Sequence, residues 1–124
     1  MLYALLAYHE ESDVMSWSAD EDAKVMRNLM EVHHKLAPRL GPAARLGFTA
    51  KARTLRGAVA GQPLDGPFAE TKEQLLGFYV LDVASEDDAI EAARQLQRVN
   101  PSAVYEIRPI MVYVPGTAIP PSES

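Results

Sequence analysis

The sequence predicts an α+β domain built in the order strand, helix, two strands, helix, strand. Three observations carry this reading. Apolar runs of strand length open the chain and recur late in it; two stretches of helical spacing each begin at a serine followed by acids; and clusters of Gly, Pro and Asp separate the segments.

Residues 2–8 form a short apolar run with two tyrosines, flanked by polar residues 10–13, and that length predicts a buried strand. Ser18-Ala19-Asp20-Glu21 then reads as a capping box, with Ser18 as N-cap and Glu21 three residues on. The helix it opens carries Val25, Leu29, Val32 and Leu36 as an apolar stripe, and Pro38 with Gly41-Pro42 is expected to stop it. Residues 43–49 and 53–59 read as two strands joined by a tight basic turn. The small basic group Lys51, Arg53 and Arg56 then marks an exposed strand edge or hairpin. Residues 61–67 are rich in Gly, Pro and Asp and predict a loop.

The strongest strand signal is residues 74–83, a nearly continuous apolar run of the kind a central strand shows. Ser85 followed by Glu86, Asp87 and Asp88 caps a second helix, with the acids where the helix dipole favours them. Ile90, Ala93, Leu96 and Val99 are its expected buried face, Asn100-Pro101 its end, and residues 103–114 the last strand. This split βαββαβ order is the ferredoxin-like arrangement, both helices lying on one face of an antiparallel sheet. The other face is left uncovered. Because a monomer rarely exposes a contiguous apolar patch of several hundred Å², the expected cover is a second copy, sheet against sheet about a two-fold axis. Residues 1–113 make one domain, and residues 114–124 a Pro/Ser-rich tail, either disordered or laid across the partner subunit.

Composition bounds the rest. The 124 residues suit a single core, and 48% hydrophobic content argues against disorder. A net charge of −5 with no basic run disfavours nucleic acid. The absence of cysteine excludes disulfides, thiol catalysis and thiolate zinc sites. The opening MLYALLAYHE lacks a basic leader and a cleavage-like site, and no stretch approaches the ~20 apolar residues that span a bilayer. A cytoplasmic protein with no membrane partner is the expectation.

The most specific segment is Asp65-Gly66-Pro67-Phe68-Ala69-Glu70-Thr71-Lys72-Glu73. Followed by an apolar strand and an acidic helix start, it resembles the hallmark of the YCII-related proteins that carry a DGPF motif. Tyr3 in the opening strand, Trp17 ahead of the first helix and Tyr105-Glu106-Ile107-Arg108-Pro109 in the last strand extend the resemblance over residues 1–112. It implies a ferredoxin-like domain pairing as a dimeric α+β barrel, and for some members an association with sigma factors. The wider group is thought to include enzymes with a His–Asp pair, the His in the first helix and the Asp in an Asp-Pro step before the last strand. Here that step is Asn100-Pro101, and His33 and His34 lie late in the helix. An amide cannot act as a general base, so the pair does not carry over.

Among individual residues, Asp65 is the tentative catalytic candidate, as an acid/base group or ligand anchor at a cleft mouth; the bland alternative is a turn residue beside Gly66. Glu70 and Lys72 fall on one side of the strand entry if it is extended, with Glu73 opposite, and read either as ligand groups or as a solvated entry. Glu106 and Arg108 share a strand face, Arg108 being a natural anchor for a carboxylate or phosphate and the alternative a structural ion pair. Tyr3 and Tyr8 fall on opposite faces, so one is core and the other lines a pocket. Adjacent His33 and His34 diverge by about 100° on a helix, and His9 has no second histidine at metal spacing, so no metal is expected. No nucleotide motif is present and no cofactor is expected. Two functional readings stay open: a dimeric small-molecule-binding or regulatory module, or a small enzyme doing acid/base chemistry near the DGPF loop.

Overall fold

The computed structural model describes residues 1–57 and 61–122. Its strands are β1 (Leu2–His9), β2 (Leu40–Arg45), β3 (Arg53–Thr54), β4 (Leu64–Asp65), β5 (Gln74–Asp82) and β6 (Val104–Pro109). Its helices are α1 (Glu11–Met15), α2 (Ala19–Leu36) and α3 (Glu86–Val99). Four strands form an antiparallel sheet in the order β2-β5-β1-β6, which with α2 and α3 is the ferredoxin-like α+β fold. Both expected caps form. Ser18 Oγ accepts from the Glu21 amide while Glu21 reaches back to the Ser18 amide, and Ser85 Oγ accepts from the Asp88 amide at 3.2 Å.

Alternation in β1 decides the layering. Tyr3, Leu5, Ala7 and His9 are buried under the helices, whereas Leu2, Ala4, Leu6 and Tyr8 are half-buried on the opposite face. The core joins Tyr3, Leu5, Tyr79 and Leu81 of the sheet to Leu29, Val32 and Leu36 of α2 and to Ala89, Ala92, Ala93 and Leu96 of α3. Of the expected face of α3, Ala93 and Leu96 are buried and Val99 packs against the core, but Ala89 and Ala92 join them in place of Ile90. Ile90 is only half-buried, and three alanines let the helix approach the sheet closely.

Four expectations change. Pro38 follows the end of α2, but Gly41-Pro42 lie inside β2, where the register shifts by one residue against β5 between Leu40 and Ala43. An edge strand tolerates the missing donor of Pro42 at such a bulge. Of the two strands expected around a tight basic turn, the first overlaps β2 of the main sheet, but the second does not pair with it. The segment after β2 turns through a short 3-10 helix (Thr49–Lys51), and β3 pairs with β4 just ahead of the DGPF loop, in a separate two-stranded sheet. The expected second strand runs to residue 59, whose end lies outside the described residues. The polar segment after β1 forms α1 rather than a bare connection. Finally, β6 stops at Pro109 because β1 runs out: Pro109 faces Tyr3, and the Ile110 amide makes the last bond, to the Leu2 carbonyl. No helix among the described residues is long and apolar enough to cross a membrane.

Candidate ligand cleft

An open cleft of about 550 Å³ lies where the uncovered sheet face meets the DGPF loop. Three pieces of chain wall it: Tyr8 and Leu75 of the sheet, Leu46 to Ala52 after β2, and Pro67, Phe68, Ala69, Thr71 and Glu73 of the loop. Phe48, Phe68, Pro67 and Leu75 make it largely apolar, with Tyr8, Thr49, Lys51, Thr71, Glu73 and Gln74 spaced around it as polar groups. Apolar walls with a few polar groups are the usual make-up of a small-molecule site.

Each wall has a local cause. One extra residue, Leu76, stands in β5 where β1 passes from Ala7 to Tyr8, so Tyr8 comes opposite Leu75. A side chain at Gly77 would meet the Ala44 carbonyl at 3.0 Å, so glycine there lets β2 close on β5 beside the cleft. The second wall is anchored by Glu11, at the start of α1. Its carboxylate accepts the Thr49 amide at 2.8 Å and also the Thr49 hydroxyl, fixing the first turn of the 3-10 helix.

The DGPF loop is stitched to β3 and the residues around it. Gly66 has φ of 94°, a left-handed conformation that glycine adopts without strain. Its amide donates to the Ala52 carbonyl at 2.8 Å, and its carbonyl accepts from the Thr54 hydroxyl at 2.9 Å. Arg56 lies 5.6 Å above the Phe68 ring and donates to the Phe68 carbonyl. Phe68 is held in place yet 74% exposed at the cleft rim.

The structure therefore separates the candidates picked from sequence. Tyr8 lines the cleft, while Tyr3 is core. Tyr8 donates to Glu106 Oε1 at 3.2 Å; burial raises its phenol above the ordinary 10, and the Glu106 carboxylate adds to this, so the proton stays on Tyr8. Glu106 and Arg108 share the uncovered face, opposite Leu6 and Ala4. Asp65 sits in β4, 3.1 Å from Arg53, with its side chain 88% exposed, and does not line the cleft. Glu70 and Lys72 are exposed and outside the lining, because Thr71 and Glu73 take the inward positions. Lys72 lies 3.1 Å from Glu10; the hydrogen bond to that carboxylate raises its ammonium above the ordinary 10.5 and ties the loop to the end of β1.

Polar groups also lie beneath the helices. His33 Nε2 is 2.8 Å from the Tyr79 hydroxyl, and burial lowers its imidazole below the ordinary 6.5 while pushing the Tyr79 phenol far up. His9 is buried, 3.2 Å from Ser102 Oγ and edge-on to Trp17; burial lowers its pKa, helped by the nearby Arg45. Asn100 donates to the Tyr105 hydroxyl at 3.3 Å, leaving its own Oδ1 without a partner. Among the described residues no three His, Asp or Glu side chains converge as metal ligands would.

Sequence reasoning passed over Glu11, Thr49 and Phe48. Glu11 and Thr49 are 38 residues apart, and no local pattern marks their contact. The one available signal was the polar start of α1 itself.

A four-stranded antiparallel sheet with two capped helices on one face and an open cleft under a DGPF loop defines a ferredoxin-like α+β domain. Residues 1–114 match the model of the YCII-related domain, and the chain belongs to that family. It is similar to an uncharacterized protein of Rhizobium meliloti (strain 1021), 54% identical over 121 residues that span 94% of this chain and 97% of the relative.

Proposed function

We propose that this chain is a dimeric small-molecule-binding or regulatory module whose ligand site is the cleft under the DGPF loop. The observation that carries the reading is the make-up of that cleft: about 550 Å³, apolar walls, and a tyrosine hydroxyl with a few side-chain donors and acceptors at its edge. The ligand class this suits is a small organic molecule with a flat or apolar body and one polar end, met by Tyr8, Thr49 or Lys51. Asp65 stands beside the site rather than in it, paired with Arg53 on the hairpin from which Gly66-Pro67-Phe68 projects. Glu70, Lys72 and Arg108 contribute charge at the rim rather than the floor. The regulatory form of the reading includes a sigma factor as protein partner, and binding of the purified chain to a purified sigma factor tests that arm separately.

A second reading, acid/base chemistry on a small organic substrate, draws on one observation: a protonated Tyr8 hydrogen-bonded to Glu106 beside the cleft. It requires turnover that Tyr8→Phe abolishes and a ligand that is consumed.

Thermal unfolding against small carboxylates, phosphates and phenols tests the main reading. A ligand at a hundred times its Kd stabilises the fold by about 2.7 kcal/mol. The expected result is a shift in the wild type that shrinks in Tyr8→Phe and in Thr49→Val. No shift with any of the three classes contradicts the reading, and a shift unaffected by both substitutions moves the site elsewhere.

A further inference from the structure

Three hydroxyl groups line the cleft, and each already gives its proton to the protein. The Tyr8 hydroxyl donates to the Glu106 carboxylate, the Thr49 hydroxyl to the Glu11 carboxylate and the Thr71 hydroxyl to the Glu73 carbonyl. The partners fix these directions, because an ionised carboxylate and a backbone carbonyl have no proton to return. A hydroxyl has one proton and two lone pairs, so all three oxygens meet a ligand only as acceptors.

The backbone repeats the pattern. In the wall after β2, the amides of Leu46, Lys51 and Ala52 donate to the carbonyls of Leu76, Phe48 and Thr49, and the Thr49 amide donates to Glu11. Gln74 gives one side-chain proton to the Thr71 carbonyl and keeps one more, beside its own acceptor oxygen. Among the described residues, Lys51 is the one cation in the lining and Glu73 the one anion, and neither joins an ion pair.

This inventory is rich in acceptors and close to neutral. An anion drawn to Lys51 would also face the Glu73 carboxylate and the lone pairs of three hydroxyls. A carboxylate has no proton to offer them, and a phosphate at most one. Acceptors left facing another acceptor lose their water without gaining a bond. An uncharged aryl hydroxyl does better, since its oxygen accepts from Lys51 while its proton goes to one of those oxygens. An aryl amine brings two protons. The ring itself suits walls made of Phe48, Pro67, Phe68 and Leu75.

We propose that the cleft selects a flat, uncharged aromatic molecule whose polar end donates hydrogen bonds, an aryl amine or aryl hydroxyl, and discriminates against carboxylates and phosphates on the same ring. The oxygens of Tyr8, Thr49 and Thr71 and the Glu73 carboxylate make the choice. This rests on the cleft being the ligand site and narrows what the site takes.

A matched series on one ring tests it: naphthol and naphthylamine as donors, methoxynaphthalene as the same shape without a proton to give, and naphthoate and naphthyl phosphate as anions. Dissociation constants come from amide-shift titrations of the full chain at neutral pH. Naphthol and naphthylamine are expected to bind about 3- to 10-fold tighter than methoxynaphthalene, and tighter still than either anion. Lys51→Met is expected to leave naphthylamine binding within about twofold, and Glu73→Lys, at an exposed position, to turn the preference toward naphthoate. Methoxynaphthalene binding as tightly as naphthol overturns the donor requirement. Naphthoate or naphthyl phosphate binding tightest, and weakened by Lys51→Met, overturns the selection while leaving the cleft as the ligand site. Binding by none of the five, or shifts away from the cleft, removes the cleft reading and this inference with it.

Discussion

Along β1, Tyr3, Leu5, Ala7 and His9 point under the helices while Leu2, Ala4, Leu6 and Tyr8 point away, and the two rows meet different surroundings. The helix-covered row is closed. Leu5 is fully buried, and the polar groups on that side largely find partners within the core, as His33 does with Tyr79 and His9 with Ser102. The other row meets an apolar centre, a strand edge bearing Glu106 and Arg108, and a cleft walled by segments distant in sequence. One alternating strand thus supplies the closed core from one face and borders the open cleft from the other, and perturbations of the two faces should separate accordingly.

The largest expected effect compares neighbours. Leu5→Ala empties a closed core position and is expected to cost about 2–5 kcal/mol in urea unfolding. Leu6→Ala, one residue on, is expected to cost under about 1 kcal/mol within the single fold and to act chiefly on association. Equal losses would erase the distinction between the faces.

Next comes the anchor between α1 and the cleft wall. Glu11→Ala leaves the Thr49 amide and hydroxyl without their partner and is expected to cost about 1–3 kcal/mol. It should also weaken ligand binding measured by calorimetry, although Glu11 is not among the residues lining the cleft. Unchanged affinity would detach the 3-10 turn from the site.

The buried histidine sets a pH dependence on the covered face. Burial lowers the folded-state pKa of His33 below the ordinary 6.5, so the unfolded chain takes up that proton first. Its contribution is intact above the unfolded value and is lost as pH falls through the folded one. His33→Gln is expected to flatten the fall in stability as the pH drops below about 6.5. An unchanged slope would assign the dependence to His9, which shifts in the same direction.

The smallest expected effect is at Asp65, whose pair with Arg53 is largely solvent-exposed. Asp65→Asn should leave the melting temperature within about 2 °C of the wild type. Loss of ligand binding in this variant would return Asp65 to the site itself.

Legibility followed the range of the interactions. Both serine caps, the α2 stripe and the strands β1 and β5 rest on spacing within a few residues, and the sequence alone revealed them. The opposite destinations of Tyr3 and Tyr8 followed from the period of two. On α3, Ala93 and Leu96 were legible, while the burial of Ala89 and Ala92 in place of Ile90 escaped because small alanines carry little apolar signal. The pairing of β3 with β4, the bulge at Gly41-Pro42 and the Glu11–Thr49 anchor escaped because each is decided by chain remote in sequence. The DGPF segment was legible as a turn, yet which of its residues face inward was not. That depends on how Ala52, Thr54 and Arg56 hold the loop, which places Thr71 and Glu73 rather than Glu70 and Lys72 at the cleft.

The most direct test of the cleft as the recognition site is amide chemical-shift mapping of the full chain, titrated with the same carboxylates, phosphates and phenols. The account predicts perturbations gathered at Tyr8, at Phe48 to Ala52 and at Pro67 to Leu75. Perturbations confined to the outer surfaces of α2 and α3, or none with any of the three classes, would contradict it.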